Sequence, residues 1–107
     1  MRGFNRVVVS GNATDKTSFS QTDNGTPTCT FTLASDRHTR DAVVTVFVKV
    51  NAYGRQLVEL CRARLGRGSY VLVEGELMNR DGRLGELTEV RAKDLIFMAG
   101  EGAVHGS

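Results

Sequence analysis

The sequence has 107 residues, of which 40% are hydrophobic and 24% are charged, as in one ordinary globular domain. Its net charge of +2 says little about partners, so a site for nucleic acid would need local clusters of Arg and Lys. No apolar run approaches membrane-spanning length, and residues 1–3 lead into a strand pattern rather than a signal peptide, so we expect a cytoplasmic protein without membrane contact.

The N-terminal part of the chain predicts two strands. Asn5–Gly11 alternates with Val7 and Val9 on one face and Val8 on the other, which indicates burial on both faces. A turn is predicted at Asn12–Asp15, followed by the polar segment 16–21. The sequence Asp23-Asn24-Gly25 then predicts a second turn. The second strand is Thr28–Ser35, whose inward residues are Cys29, Phe31 and Leu33.

A charged loop, Asp36–Asp41, precedes the most informative strand, Val43–Tyr53. One face of that strand consists of Val44, Val46, Val48 and Val50, which predicts a buried core face. The other face consists of Thr45, Phe47, Lys49, Asn51 and Tyr53. Two aromatic rings beside a lysine are typical of a platform on which bases stack next to a phosphate backbone. The alternative is a half-exposed strand that a loop or a partner subunit covers.

The C-terminal part predicts one helix and two more strands. Arg55–Leu65 has an apolar stripe of Leu57, Leu60, Cys61 and Leu65, and Gly66 and Gly68 end it. Ser69–Met78 is apolar on both faces, so its outward Tyr70 and Leu72 indicate self-association. A hairpin turn is predicted at Asn79–Gly85. The last strand is predicted at Glu86–Phe97, with Val90, Ala92, Leu95 and Phe97 in the core and a bulge near Lys93-Asp94.

Enzymatic and metal-binding chemistry find no support in the sequence. Cys29 and Cys61 lack metal-ligand spacing and fall on apolar faces, so we expect buried free thiols, with a disulfide between them left open. His38 and His105 are isolated, and neither cysteine has a histidine near it in sequence. We therefore predict no cofactor, no metal and no enzyme activity.

The order of the elements predicts an all-β fold with one helix between the third and fourth strands. Five antiparallel strands with the helix in that place describe the OB-fold, a five-stranded, partly open barrel. OB-folds bind oligonucleotides on the face of strands two and three, which is the face that carries Phe47, Lys49 and Tyr53. We expect residues 1–98 to form this domain and 99–107 to be a short disordered tail.

Five segments in this order resemble bacterial single-stranded DNA-binding proteins: NRVVVSGNATD, NGTPTCTFTLAS, FVKVNAYGRQLVEL, GSYVLVEGELMNRDG and TEVRAKDLIFM. The resemblance runs from Phe4 to about Met98. It implies a homotetramer of OB-folds that wraps single-stranded DNA without strong sequence preference. It also implies that subunits meet through the first strand and the outer sheet faces, here Val7, Val8, Val9, Tyr70 and Leu72.

The resemblance carries over to individual residues of the third strand. Phe47 and Tyr53 match base-stacking positions, and Lys49 matches a basic position between them. A position that is frequently Trp falls near His38, and the chain has no Trp. The wider set of expected DNA contacts adds His38 and the cations Arg37, Arg40, Arg55, Arg80, Arg83, Arg91 and Lys93.

The C-terminus departs from the family pattern, because residues 99–107 lack the acidic tip that recruits replication and repair enzymes. The chain therefore resembles a tail-less member or a trimmed DNA-binding domain. We predict a nucleoid-associated role in DNA replication, recombination and repair. The alternatives are a dimeric OB-fold like primosomal replication protein N, acting in replication restart, and a protein-binding OB module in which Phe47 and Tyr53 form an interface.

Overall fold

The computed structural model describes residues 2–79 and 88–98. Its strands close into one barrel in the order β1-β2-β3-β5-β4. The elements are β1 (Val7–Gln21), β2 (Pro27–His38), β3 (Val43–Tyr53), α1 (Arg55–Arg64), β4 (Tyr70–Asn79) and β5 (Thr88–Met98). The predicted five-stranded OB-fold barrel, with its helix between the third and fourth strands, is confirmed. The expectation that all strands are antiparallel is wrong at one place, because β3 and β5 pair in parallel.

The first strand is longer than its sequence pattern indicates. Residues 7–12 of β1 pair with β4, residues 12–21 pair with β2, and the register shifts between Ala13 and Thr17. The predicted turn at Asn12–Asp15 is therefore wrong, because the polar residues form a bulge in which the strand changes partners without reversing. Gly11 permits this crossing, since a Cβ at that position would lie 2.3 Å from the carbonyl oxygen of Ala34.

The core lies inside the barrel and follows the predicted alternation. Cys29, Phe31 and Leu33 of β2 are fully buried, and the outward positions between them are threonines. The predicted core residues of β5 are also buried, namely Val90, Ala92, Leu95 and Phe97. The predicted bulge is confirmed at Lys93, because Glu74 pairs with Asp94 while the next residue, Gly75, pairs with Ala92.

The helix packs on the barrel through one face. Cys61 and Val58 are buried against the core, and Leu57, Leu60 and Leu65 pack on it while remaining partly exposed. Gly54 precedes the helix with a φ of 99°, a left-handed conformation that favours glycine. The guanidinium of Arg62 lies 4.2 Å from the ring centroid of Phe19, which attaches the outer side of the helix to β1.

The two cysteines are free thiols in this core. Cys29 on β2 and Cys61 on α1 have no solvent-accessible surface. The hydrogen bond with Cys29, together with burial, raises the pKa of the Cys61 thiol. The predicted buried thiols are therefore confirmed, and the pair adds a polar contact between the helix and the barrel.

The hairpin of β2 and β3 extends beyond the barrel as an arm, which comprises residues 35–47. Its strands pair as far as His38 and Val43, so Asp36, Arg37 and His38 belong to β2 rather than to the predicted loop. Val50 is fully buried as predicted, but Val44 and Val46 are 42% and 54% exposed. The prediction of a continuous valine core face is therefore wrong, because no part of the described chain packs behind the arm.

Several sequence predictions lie outside the described residues. These include the hairpin turn at Asp81-Gly82 with Arg80 and Arg83, and the C-terminal segment 99–107. Within residues 2–79 and 88–98, no helix is long and apolar enough to cross a membrane.

Candidate nucleic-acid interface

The outer face of the β2–β3 sheet carries the large side chains predicted from sequence. By strand alternation, Phe47, Lys49, Asn51 and Tyr53 share one face of β3. Their β2 partners are small, namely Ala34 opposite Phe47, then Thr32, Thr30 and Thr28 toward the other end. This surface, called the outer face below, therefore combines larger groups on β3 with a row of methyl and hydroxyl groups on β2.

Phe47 is the most exposed ring on the outer face. Its side chain is 68% exposed, and its directly paired neighbour is Ala34, which is too small to cover it. Exposing an aromatic ring of this size forgoes roughly 1.5–3 kcal/mol of burial energy. A ring left open on a sheet surface is suited to stacking against a flat partner.

Tyr53 lies near the other end of β3 and is only partly exposed. The guanidinium of Arg91 lies 4.7 Å from the centroid of its ring, which is within cation–π distance. Arg91 is placed there because β3 and β5 run parallel with Asn51 opposite it. One face of the Tyr53 ring is thus occupied by a cation.

Asn51, between Lys49 and Tyr53, is buried rather than available to a ligand. Its side-chain oxygen accepts a hydrogen bond of 2.9 Å from Thr30, and its amide nitrogen donates one of 2.5 Å to the buried carboxylate of Glu89. These bonds connect β2, β3 and β5 across the outer face. The alternation of β3 predicts the face on which Asn51 lies but not this role, because its partner Glu89 is distant in sequence.

Two of the predicted cations lie beside Tyr53 but already have carboxylate partners. A cavity of about 460 Å³ is lined by Tyr53, Arg55 and Lys93 together with residues of α1. Arg55 lies 3.5 Å from Glu59, and Lys93 lies 3.7 Å from Glu76. Exposed pairs of this kind contribute only about 0–1 kcal/mol, so either cation can exchange its partner for a phosphate at little cost.

The cations of the arm are divided between its two faces. Arg37 pairs with Val44 and lies on the face opposite Phe47, whereas His38 pairs with Val43 and lies on the outer face. Arg40 is exposed in the turn at the tip. The fold therefore brings Phe47, Lys49, Tyr53 and Arg91 onto one surface, but Arg37 does not share it.

The predicted subunit contacts are also divided between two environments. Val7 and Val9 are half-buried against the core, whereas Val8 is 56% exposed. Leu72 on β4 is half-buried and pairs with the exposed Ile96 on β5. Tyr70 is half-buried, with its hydroxyl 3.4 Å from that of Ser10. Val8, Leu72 and Ile96 are thus apolar side chains on the outer side of β1, β4 and β5, and the charged residues Glu74 and Asp94 share that side.

Comparison with known proteins shows the family to which the chain is similar. Residues 4–98 match the model of the single-strand binding protein family. The chain belongs to this family. The matched residues coincide with the segment over which the sequence resembles bacterial single-stranded DNA-binding proteins, so that resemblance is confirmed.

Individual members of the family and a solved structure show how far the similarity extends. Single-stranded DNA-binding protein 2 of Chlorobaculum tepidum is 35% identical over 92% of this chain and 73% of its own length. Single-stranded DNA-binding protein of Thermotoga maritima is 39% identical over 75% of this chain, which spans only 60% of that protein. The small single-stranded DNA-binding protein from Streptomyces coelicolor superposes with a TM-score of 0.75 at 25% identity, over 95% of this chain and 99% of its own.

Proposed function

We propose that this protein binds single-stranded DNA without strong sequence preference, in DNA replication, recombination and repair, and that it catalyses no reaction. The observation that carries the proposal is the exposed ring of Phe47 beside Lys49 on the outer face of an OB-fold. A ring stacks on any base, and an ammonium group meets any phosphate. Neither group distinguishes one base edge from another, which accounts for the lack of sequence preference.

The spacing of the two rings limits how a strand can lie. Phe47 and Tyr53 are six residues apart on β3, which corresponds to roughly 20 Å along a strand. Stacked bases are separated by only about 3.4 Å, so two neighbouring bases cannot use both rings. In this proposal the intervening nucleotides pass Lys49, and the second base stacks on the face of Tyr53 opposite Arg91.

The phosphates meet the cations that surround these rings. Lys49 and Arg91 lie on or beside the platform, and Arg55 and Lys93 extend it on the side of α1. Arg37, His38 and Arg40 of the arm, with Arg80 and Arg83 outside the described residues, would add further contacts. Affinity should therefore fall with salt, with a slope of about −0.7 for each phosphate neutralised.

The proposal includes self-association into a homotetramer, with a dimer as the alternative. The outward apolar side chains of Val8, Leu72 and Ile96 support it, because exposed apolar strand residues favour burial between subunits. Sedimentation equilibrium should give a mass near four chains. A mass of one chain at every concentration would contradict this part of the proposal.

Titration of a fluorescently labelled dT oligonucleotide tests the function. Replacement of both rings, Phe47→Ala/Tyr53→Ala, should weaken binding by at least about 30-fold, since each stacked base contributes roughly 1–3 kcal/mol. Phe4→Ala is the matched control, because Phe4 is 90% exposed and lies outside β3, and it should bind like the wild type.

Two results would contradict the proposed function. In the first, the wild type fails to bind the oligonucleotide, which would favour the protein-binding OB module. In the second, the double variant keeps the wild-type affinity and the wild-type circular dichroism spectrum, which would show that bases do not stack on Phe47 and Tyr53. The spectrum is needed because a variant that does not fold would also lose affinity.

A further inference from the structure

A groove lined by lysines and hydroxyl-bearing residues crosses the outer face. Its volume is about 280 Å³, and it extends from β3 across β2 to β1. Its lining consists of two lysines and four hydroxyl residues, namely Lys16, Thr17, Ser18, Thr30, Thr32 and Lys49. No carboxylate and no aromatic ring contributes to this lining, which makes the groove chemically different from the platform at Phe47 and Tyr53.

The two ammonium groups of this groove differ from the other cations near the platform in their surroundings. Across the described residues, 2–79 and 88–98, no carboxylate lies within ion-pair distance of Lys16 or Lys49. Lys93, by contrast, has a carboxylate partner, since it lies 3.7 Å from Glu76. Two like charges lining one groove repel each other, and an anion bound between them would remove that repulsion.

The hydroxyl groups complete the donor set. Thr30 already donates to Asn51, whereas Ser18 and Thr32 make no side-chain hydrogen bond within the described part of the chain. Free hydroxyls on a sheet surface donate readily to phosphate oxygens, as they do in many contacts between proteins and nucleic-acid backbones. The groove therefore presents cations and free hydroxyl donors without a surface on which a base could stack.

We propose that this groove binds the sugar–phosphate backbone of a single strand and leads it from Lys49 across β2 to Lys16 on β1. The inference rests on the proposed function, because Lys49 belongs to both surfaces. The volume is smaller than that of a site for a drug-sized ligand, so it suits one phosphodiester with its sugar. Two inter-strand steps of about 4.8 Å lengthen the path by roughly 10 Å, or about two to three nucleotides.

The salt dependence of binding tests this path. Lys16→Gln should make the slope of log affinity against log salt less negative by about 0.7. The loss of affinity between 50 and 200 mM salt should then be about threefold smaller than in the wild type. Arg64→Gln is the matched control, because it removes one charge from a separate groove formed with Leu60, Leu95 and Phe97. Its slope should equal that of the wild type.

A footprint of the lysines gives an independent readout. The lysines of the chain are Lys16, Lys49 and Lys93, and acetic anhydride acetylates each according to its accessibility. Addition of dT oligonucleotide should protect Lys16 together with Lys49, as measured by mass spectrometry of the acetylated peptides. Ser18→Ala/Thr32→Val should lower this protection of Lys16, because the phosphate then lacks both hydroxyl donors.

The outcomes separate this inference from the function on which it rests. The proposed function stands if the wild type binds dT and the Phe47→Ala/Tyr53→Ala variant does not. In that case, the groove proposal is overturned if Lys16→Gln keeps the wild-type salt slope and Lys16 acetylates equally with and without DNA. If the wild type does not bind dT, the function itself fails. Loss of slope in Lys16→Gln together with protection of Lys16 supports the path across β2.

Discussion

The two halves of β3 carry the same alternating pattern and lie in opposite environments. In the half within the barrel, Val50 is fully buried under the other strands and α1. In the half within the arm, Val46 is 54% exposed, although it belongs to the same row of valines. Alternation determines which side chains share a face, but the burial of that face depends on what the rest of the chain places behind it.

The comparison also shows that the arm keeps its form without a core. Its strands stay paired to His38 and Val43, and Thr39 and Ala42 close the tip through backbone and hydroxyl hydrogen bonds of 2.8 to 3.0 Å. The barrel half relies on apolar burial, and the arm half relies on backbone pairing. Substitutions in the two halves should therefore have very different effects on stability.

The largest difference in stability between the two halves should come from substitution of their valines. Val50→Ala removes two methyl groups from a fully buried site and should lower the free energy of unfolding by about 2–3 kcal/mol. Val46→Ala, the same change in the arm, should alter it by less than about 0.5 kcal/mol. Urea unfolding followed by circular dichroism measures both values. Equal losses would show that the arm is packed as tightly as the barrel.

Loss of a hydrogen bond should likewise destabilise the protein more in the barrel half of β3 than in the arm. Asn51→Leu removes the amide that donates to buried Glu89 and accepts from Thr30, and should lower the free energy of unfolding by about 1–3 kcal/mol. Thr45→Val removes the exposed bond of 2.6 Å to Asp36 in the arm and should change it by less than about 0.5 kcal/mol. Thermal unfolding of both variants makes the comparison. An Asn51→Leu variant as stable as the wild type would contradict a stabilising role for the hydrogen bonds of Asn51 with Thr30 and Glu89.

The smallest predicted effect is a gain of affinity for DNA from a substitution at the point where the arm joins the barrel. Phe47→Trp enlarges the stacking ring and should tighten binding of dT by several-fold, or roughly 1 kcal/mol. Because the chain has no other Trp, its fluorescence reports on this position alone and should be quenched by the oligonucleotide. The control Phe4→Trp should show no quenching. Unchanged emission from position 47 at saturating DNA would place the bases elsewhere.

Much of the fold could be predicted because local patterns and tertiary structure agree. The bounds of β3 follow from its alternation between the turn-forming residues before Val43 and Gly54 after Tyr53. The bulge at Lys93 follows from a shift of the apolar face. The turn expected at Asn12–Asp15 failed because the same polar residues suit both a chain reversal and a bulge, and only the pairing with β2 and β4 distinguishes them.

The candidate site was predictable to the extent that it lies on one strand. Phe47, Lys49 and Tyr53 share the outer face as expected, since alternation within β3 suffices to place them. The contact of Arg91 with Tyr53 and that of Glu89 with Asn51 depend on β5, which β3 meets in a parallel register that local sequence does not encode. The groove at Lys16 was missed because polar residues at a bulge give no periodic signal.

The closure of the arm by its own hydrogen bonds makes its tip a suitable place for protein engineering. Thr39 and Ala42 form a hydrogen-bonded pair, and Arg40 and Asp41 between them are exposed and form no hydrogen bond or ion pair with another described residue. A short peptide tag or a reporter inserted between Arg40 and Asp41 would therefore leave the folding unit intact. Such a tag would stand at the end of a paired two-stranded arm, well separated from the hydrophobic interior.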